Sequence, residues 1–135
     1  MGQSNLDVLR GFYAAWNDRD VDRLVEAFDP AVELWPLILP LVSTEVYRGH
    51  EGVARWFGEL NSRFAQTCAY PEQIVEVGDQ VIVFLRVVGR EHDGTELDAQ
   101  IANVMTMRDG KILEFEGREA EEILEELEVE PAEFG

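Results

Sequence analysis

Glu96-Leu-Asp-Ala-Gln-Ile-Ala-Asn-Val-Met-Thr-Met-Arg-Asp-Gly-Lys-Ile-Leu-Glu-Phe-Glu-Gly117 is the stretch on which the fold assignment turns. Two strand-like runs flank Asp109-Gly110, a dipeptide that readily adopts the positive φ angles of a tight hairpin. Side chains alternate along a strand, so Ile101, Asn103, Met105 and Met107 share one face. Asn103 is the polar member of an otherwise apolar row. A buried amide needs hydrogen-bond partners, supplied either by the fold or by a ligand.

The segments before this hairpin divide into strands and helices. Val81 to Val88 is a strongly β-branched strand with Arg86 in its middle, expected on the outer face of a sheet. Ala69 to Val77 is a strand before the Gly78-Asp79 turn. Tyr47-Arg-Gly-His-Glu-Gly52 leads into a helix with Val53, Trp56, Phe57, Leu60 and Phe64 along its inner stripe. At the start, Ser4-Asn-Leu-Asp7 has the form of a capping box, and Leu6, Leu9, Phe12, Tyr13 and Trp16 follow at helical spacing. Asp20 caps a second helix with Val21, Leu24, Val25 and Phe28 inward, ending at Pro30. Val32 to Trp35 alternates like a short strand. Residues 36 to 42 are almost wholly apolar, yet Pro36 and Pro40 bar a central strand or helix interior. Such a segment lines a pocket, forms a lid or lies in a subunit interface. After Gly117, residues 118 to 127 read as helical.

Three helices with one early strand, then a meander of long strands, then a short helix, define an α+β fold. Its curved antiparallel sheet carries three N-terminal helices on the concave face. The cone that results has an open mouth and an apolar interior suited to a small ligand.

Composition narrows the function classes. The chain has 135 residues, of which 46% are hydrophobic, enough for one domain over 1–135 with its own core. The end, about 128–135, reads as an acidic tail. No run of 18 apolar residues is present, and residues 1–5 lack the basic and apolar regions of a secretory signal. Met1-Gly2 begins like a myristoylation signal, but position six is Leu6. A cytoplasmic location is the expectation. Cys68 is alone, and neither His50 nor His92 has a partner at zinc spacing, so no metal and no cofactor are expected. A net charge of −17 opposes binding to nucleic acid and to anionic membranes. From Glu114 to Glu133 ten glutamates face one arginine, a pattern of solvated surface.

Three runs carry a resemblance to a known family: Phe12-Tyr-Ala-Ala-Trp-Asn-Asp-Arg-Asp-Val-Asp-Arg-Leu24, Tyr47-Arg-Gly-His-Glu-Gly-Val53 and Val104-Met-Thr-Met-Arg-Asp-Gly-Lys-Ile112. Over residues 5 to 125 the chain resembles SnoaL-like proteins of the nuclear-transport-factor-2-like superfamily. That group includes ketosteroid isomerases, polyketide cyclases and limonene epoxide hydrolases. The resemblance implies the cone fold and a homodimer paired through the sheet, a role suited to the apolar outer row Ala102, Val104 and Thr106. It leaves activity open, because this fold hosts many chemistries.

Site residues follow from the resemblance position by position. Ketosteroid isomerases use a carboxylate base and an oxyanion hole of Tyr and protonated Asp. The hole Asp aligns with Asn103, whose amide can still donate a hydrogen bond. The hole Tyr aligns with Phe12 and the base with Leu34 or Trp35, none of which can do that work. The acid that cyclases and epoxide hydrolases place on the last strand falls near Gly117, with Glu116 and Glu119 as candidates. Epoxide hydrolases also need an Arg and an Asp two residues apart. Arg86 is a candidate, but its neighbours at 84 and 88 are Phe and Val. Glu33, Glu96 and Asp98 are expected on strand exteriors and turns.

Three functions are therefore in view. The first is a small-molecule-binding domain whose enclosed pocket is formed by Tyr13, Trp16, Trp35, Ile101, Met105 and Phe115, with Asn103 as the polar contact to a ligand oxygen or a water. The second is a cyclase, isomerase or hydrolase using Asn103, Glu116 and Glu119. The third is an association module whose role is its dimer.

Overall fold

Asp109 and Gly110 both take positive φ, 52° and 74°. This turns the chain sharply between β5 (Glu96–Arg108) and β6 (Lys111–Glu119). The computed structural model describes residues 5–36 and 46–125. The Ser4 cap, most of the apolar 36–42 segment and the acidic tail lie outside the described residues.

The other strands are β1 (Phe28–Trp35), β2 (Tyr47–Arg48), β3 (Phe64–Val77) and β4 (Gln80–Glu91). They form a six-stranded, curved and unclosed sheet in the order β2-β1-β6-β5-β4-β3. Neighbours run antiparallel except β1 and β6, which are parallel. Register shifts at Pro71/Gln73 in β3 and at Thr106/Met107 between β5 and β6 bend the sheet, as bulges do.

The helices are α1 (Asn5–Asn17), α2 (Val21–Glu26) and α3 (Gly49–Arg63), with a short helical segment at 120–125. Asp20 caps α2, its carboxylate accepting from the Arg23 N–H at 3.2 Å. Several boundaries differ from the sequence expectation, among them residues 118 and 119, read as helical, which close β6 before the helix begins at 120. The second helix stops at Glu26, and Pro30 lies within β1, at the register shift between Phe28 and Glu33 where no ladder donor is needed. Phe64 opens β3 rather than ending α3, but its ring is still buried, as are those of Trp16 and Trp56.

The helices cover the concave face, and one apolar cluster fills the space between. It includes Phe12, Trp16, Phe28, Leu34, Trp56, Phe57, Val83, Leu85, Met105 and Phe115. The outer face carries a second cluster, in which Ala120 and Ile123 of the 120–125 helix pack on Ile82, Phe84 and Ala102. Ala102 of the apolar outer row is thus covered by the 120–125 helix, and Val104 packs partly buried against the same cluster. Asn17 ties α1 to the sheet edge: its Nδ2 donates to the Ala69 carbonyl at 3.0 Å, and the Ala69 N–H donates to its Oδ1 at 2.8 Å. Arg19 adds a bond to the Phe64 carbonyl at 3.0 Å.

Candidate functional site

The alternation of β5 delivers Asn103 to the concave side, where it is 3% exposed. Its cross-strand neighbours are Val83 on β4 and Gly117 on β6. Gly117 has no side chain, so β6 places no side chain directly beside Asn103 in that register. Across the interior, α1 brings Tyr13, and Asn103 Nδ2 donates to the Tyr13 hydroxyl oxygen at 2.8 Å. Burial pushes the Tyr13 hydroxyl well above its ordinary pKa of 10.0, with the Asn103 hydrogen bond opposing only in part. Tyr13 is therefore a neutral phenol whose hydrogen remains free to donate.

The resemblance points to Phe12 for a ring next to this amide, but the hydroxyl comes one residue later. Phe12 instead lies at the centre of the aromatic cluster, with ring centroids 4.8 Å from Tyr13, 5.5 Å from Phe28 and 5.8 Å from Phe115. Tyr13, Trp16, Met105 and Phe115 belong to the same buried cluster, and Ile101 packs against it. Trp35 stands apart. It pairs with Glu116 on the side of β1 opposite the buried Leu34, and it is half-buried.

The two candidate acids separate by the pleat. Glu119 pairs with Ile101 and so shares Asn103's side of the sheet, one row toward the rim, where it is exposed. Glu116 pairs with Val104 on the outer side, where Arg118 donates to it at 3.3 Å. Among the described residues, the buried polar or charged ones are Thr67 and Asn103, so no carboxylate is sealed inside with the amide. Thr67, missed in the sequence, faces inward from β3 opposite Gly89.

Arg86 is on the outer face. Its guanidinium forms a two-pronged pair with Asp98, Nε to Oδ1 at 2.8 Å and Nη2 to Oδ2 at 2.6 Å. The Arg86 hydrogen bonds hold the Asp98 carboxyl below its ordinary range. The strand partners of Arg86 are Tyr70 and Gln100, so this Arg does not reach the interior. A surface cleft of about 230 Å³ lies beside this pair, bordered by Cys68, Tyr70, Val88 and Asp98. Among the described residues no group of three or more His, Cys, Asp or Glu is arranged to hold a metal. No helix among them is long and apolar enough to cross a membrane.

A curved, unclosed sheet with helices on its concave side and an apolar interior between them is the nuclear-transport-factor-2-like architecture. Within it, the SnoaL-like domain model matches residues 9–115, and the chain belongs to that family. TerC, crystallised with polyporic acid, is similar at 25% identity and a TM-score of 0.75, over 91% of this chain and 96% of its own. IdmH, a candidate polyketide cyclase from Streptomyces antibioticus, has a TM-score of 0.70 at 23% identity, covering 85% of this chain and 91% of that one. A protein of ketosteroid isomerase-like fold from Catenulispora acidiphila, in complex with trimethylamine, has a TM-score of 0.74 at 14% identity, over 82% and 83% of the two chains. The last two likenesses speak for fold alone. No curated protein matches the chain.

Proposed function

We propose that this protein binds a small, largely apolar molecule inside its cone, with the Asn103–Tyr13 pair as the polar contact. The observation that carries this reading is a hydrogen-bonded amide and phenol set in an apolar interior, with no buried carboxylate among the described residues. Such a set orients a ligand oxygen. General acid–base chemistry needs a titrating group within hydrogen-bond reach of the substrate. TerC's crystallisation with polyporic acid supports a small-molecule role for this family member too.

Ile101, Met105, Phe115 and Trp16 form the wall of this pocket in our reading, and the protein works as a homodimer. Catalysis of the cyclase or isomerase kind is the second reading, favoured by the position of Glu119 on Asn103's side of the sheet. In that case Glu119 moves the proton and Asn103 with Tyr13 holds the developing oxyanion. Native mass spectrometry of gently purified protein tests the first reading. A non-covalent adduct of one small molecule is expected, with lower occupancy in Tyr13→Phe. Protein that stays free of adduct, and whose Met105 and Ile101 methyl NMR signals ignore a panel of apolar ketones, would overturn it. Turnover lost in Glu119→Gln while binding persists would select the second reading.

A further inference from the structure

Among the described residues that are themselves buried, two side chains hold a polar atom with no hydrogen-bond partner. One is the indole nitrogen of Trp16, a residue 5% exposed; the other is the hydroxyl of Thr67, 2% exposed. Trp16 stands edge-on to Trp56 and Phe57, with ring centroids at 5.5 and 5.7 Å. Thr67 lies on the same side of β3 as Ala69, a member of the interior cluster. Native interiors pair nearly all such groups, so an orphan calls for an occupant.

The chemistry of the orphan restricts that occupant. An indole N–H can only donate, so its partner must offer a lone pair. Tyr13 lies three residues earlier, on the same face of α1. Its oxygen already accepts from Asn103, which leaves its hydrogen to donate as well. The polar groups α1 turns inward are therefore donors. No Lys or Arg is among the buried described residues, and the chain carries −17 overall. An anion would enter against that field with no cation to receive it.

We propose that the Trp16 indole N–H is a ligand-binding donor, and that the molecule taken is neutral and apolar with a carbonyl or ether oxygen. This rests on the interior-pocket reading above and names the ligand class for it. Trp56, Phe57 and Phe115 supply the apolar wall for the rest of the molecule.

The test uses 1-indanone and indane, which share a ring skeleton and differ by one carbonyl oxygen. Nitrogen-edited NMR of the wild-type protein follows the Trp16 indole signal, assigned through its backbone, so the readout does not depend on a variant folding. Indanone should move that signal downfield saturably and bind about tenfold more tightly than indane. Trp16→Phe trims the wall for both probes, so the readout is the gap between them, and the tenfold preference for indanone should close in the variant. Equal affinity for the two probes, with the Trp16 signal indifferent to the carbonyl, would overturn the donor role and leave the pocket reading intact. If neither probe moves Trp16, Ile101 or Met105, the pocket reading falls and the donor role with it.

Discussion

Replacing Asn103 by leucine removes the donor to the Tyr13 oxygen and leaves a buried hydroxyl without its partner. The expected loss is about 1–3 kcal/mol of stability, measured by urea unfolding. Tyr13→Phe with Asn103→Leu should cost clearly less than the two single changes summed, because the pair disappears together. Strict additivity would mean the bond contributes nothing. Tyr13 also sets an alkaline limit. Its folded pKa is raised, so its contribution is fully present below the ordinary value of 10.0 and is lost as pH rises above it toward the folded value. Unfolding midpoints followed from pH 8 to 11 should fall more steeply in the wild type than in Tyr13→Phe; parallel curves would refute this. The period of two in β5 made the inward placement of Asn103 legible in the sequence. Its partner was not, because residues 12 and 13 of a helix differ by about 100° in direction, and an alignment slip of one residue exchanges a core ring for a phenol.

Asn17 acts at the level of the elements, because its amide occupies both hydrogen-bonding groups of Ala69 on the free edge of β3. That contact fixes the end of α1, and with it Tyr13 and Trp16, against the sheet. Asn17→Ala should cost about 1–2 kcal/mol and speed amide exchange at Ala69, while the β4–β5 ladder keeps its protection. Unchanged exchange at Ala69 would show that the edge is held by other contacts. The long elements were readable because each has one dominant signal: Asp109-Gly110 for the hairpin, the β-branched run for β4, the apolar stripe for α1. β1 was harder. Pro30 reads as a helix stop, yet the strand passes through it, since a register shift spares the missing N–H. The Asn17 clamp lies beyond local patterning, because its two partners are 52 residues apart.

For the whole molecule, the outer face of the sheet decides the assembly. The apolar row there points in the sequence to a dimer, but Ala102 is fully buried beneath the 120–125 helix of its own chain. Among the described residues, the outer face leaves an apolar border for a second copy: Tyr70, Val77 and Leu124, which are 51%, 49% and 45% exposed. Tyr70 and Val77 pair with Arg86 and Gln80, which places them on the outer side of β3. Two copies meeting there bring together two chains of charge −17. Their repulsion extends over roughly 10 Å at 0.1 M salt and is screened to about 3 Å at 1 M. Apolar burial does not weaken with salt in the same way. Association should therefore tighten as sodium chloride rises, the opposite of an interface held by ion pairs such as Arg86–Asp98. Sedimentation equilibrium at micromolar protein should show more dimer at 0.5 M salt than at 0.05 M, and Tyr70→Glu should remove it at both. A monomer under every condition, or a dimer that dissociates as salt is added, would refute an apolar outer-face assembly.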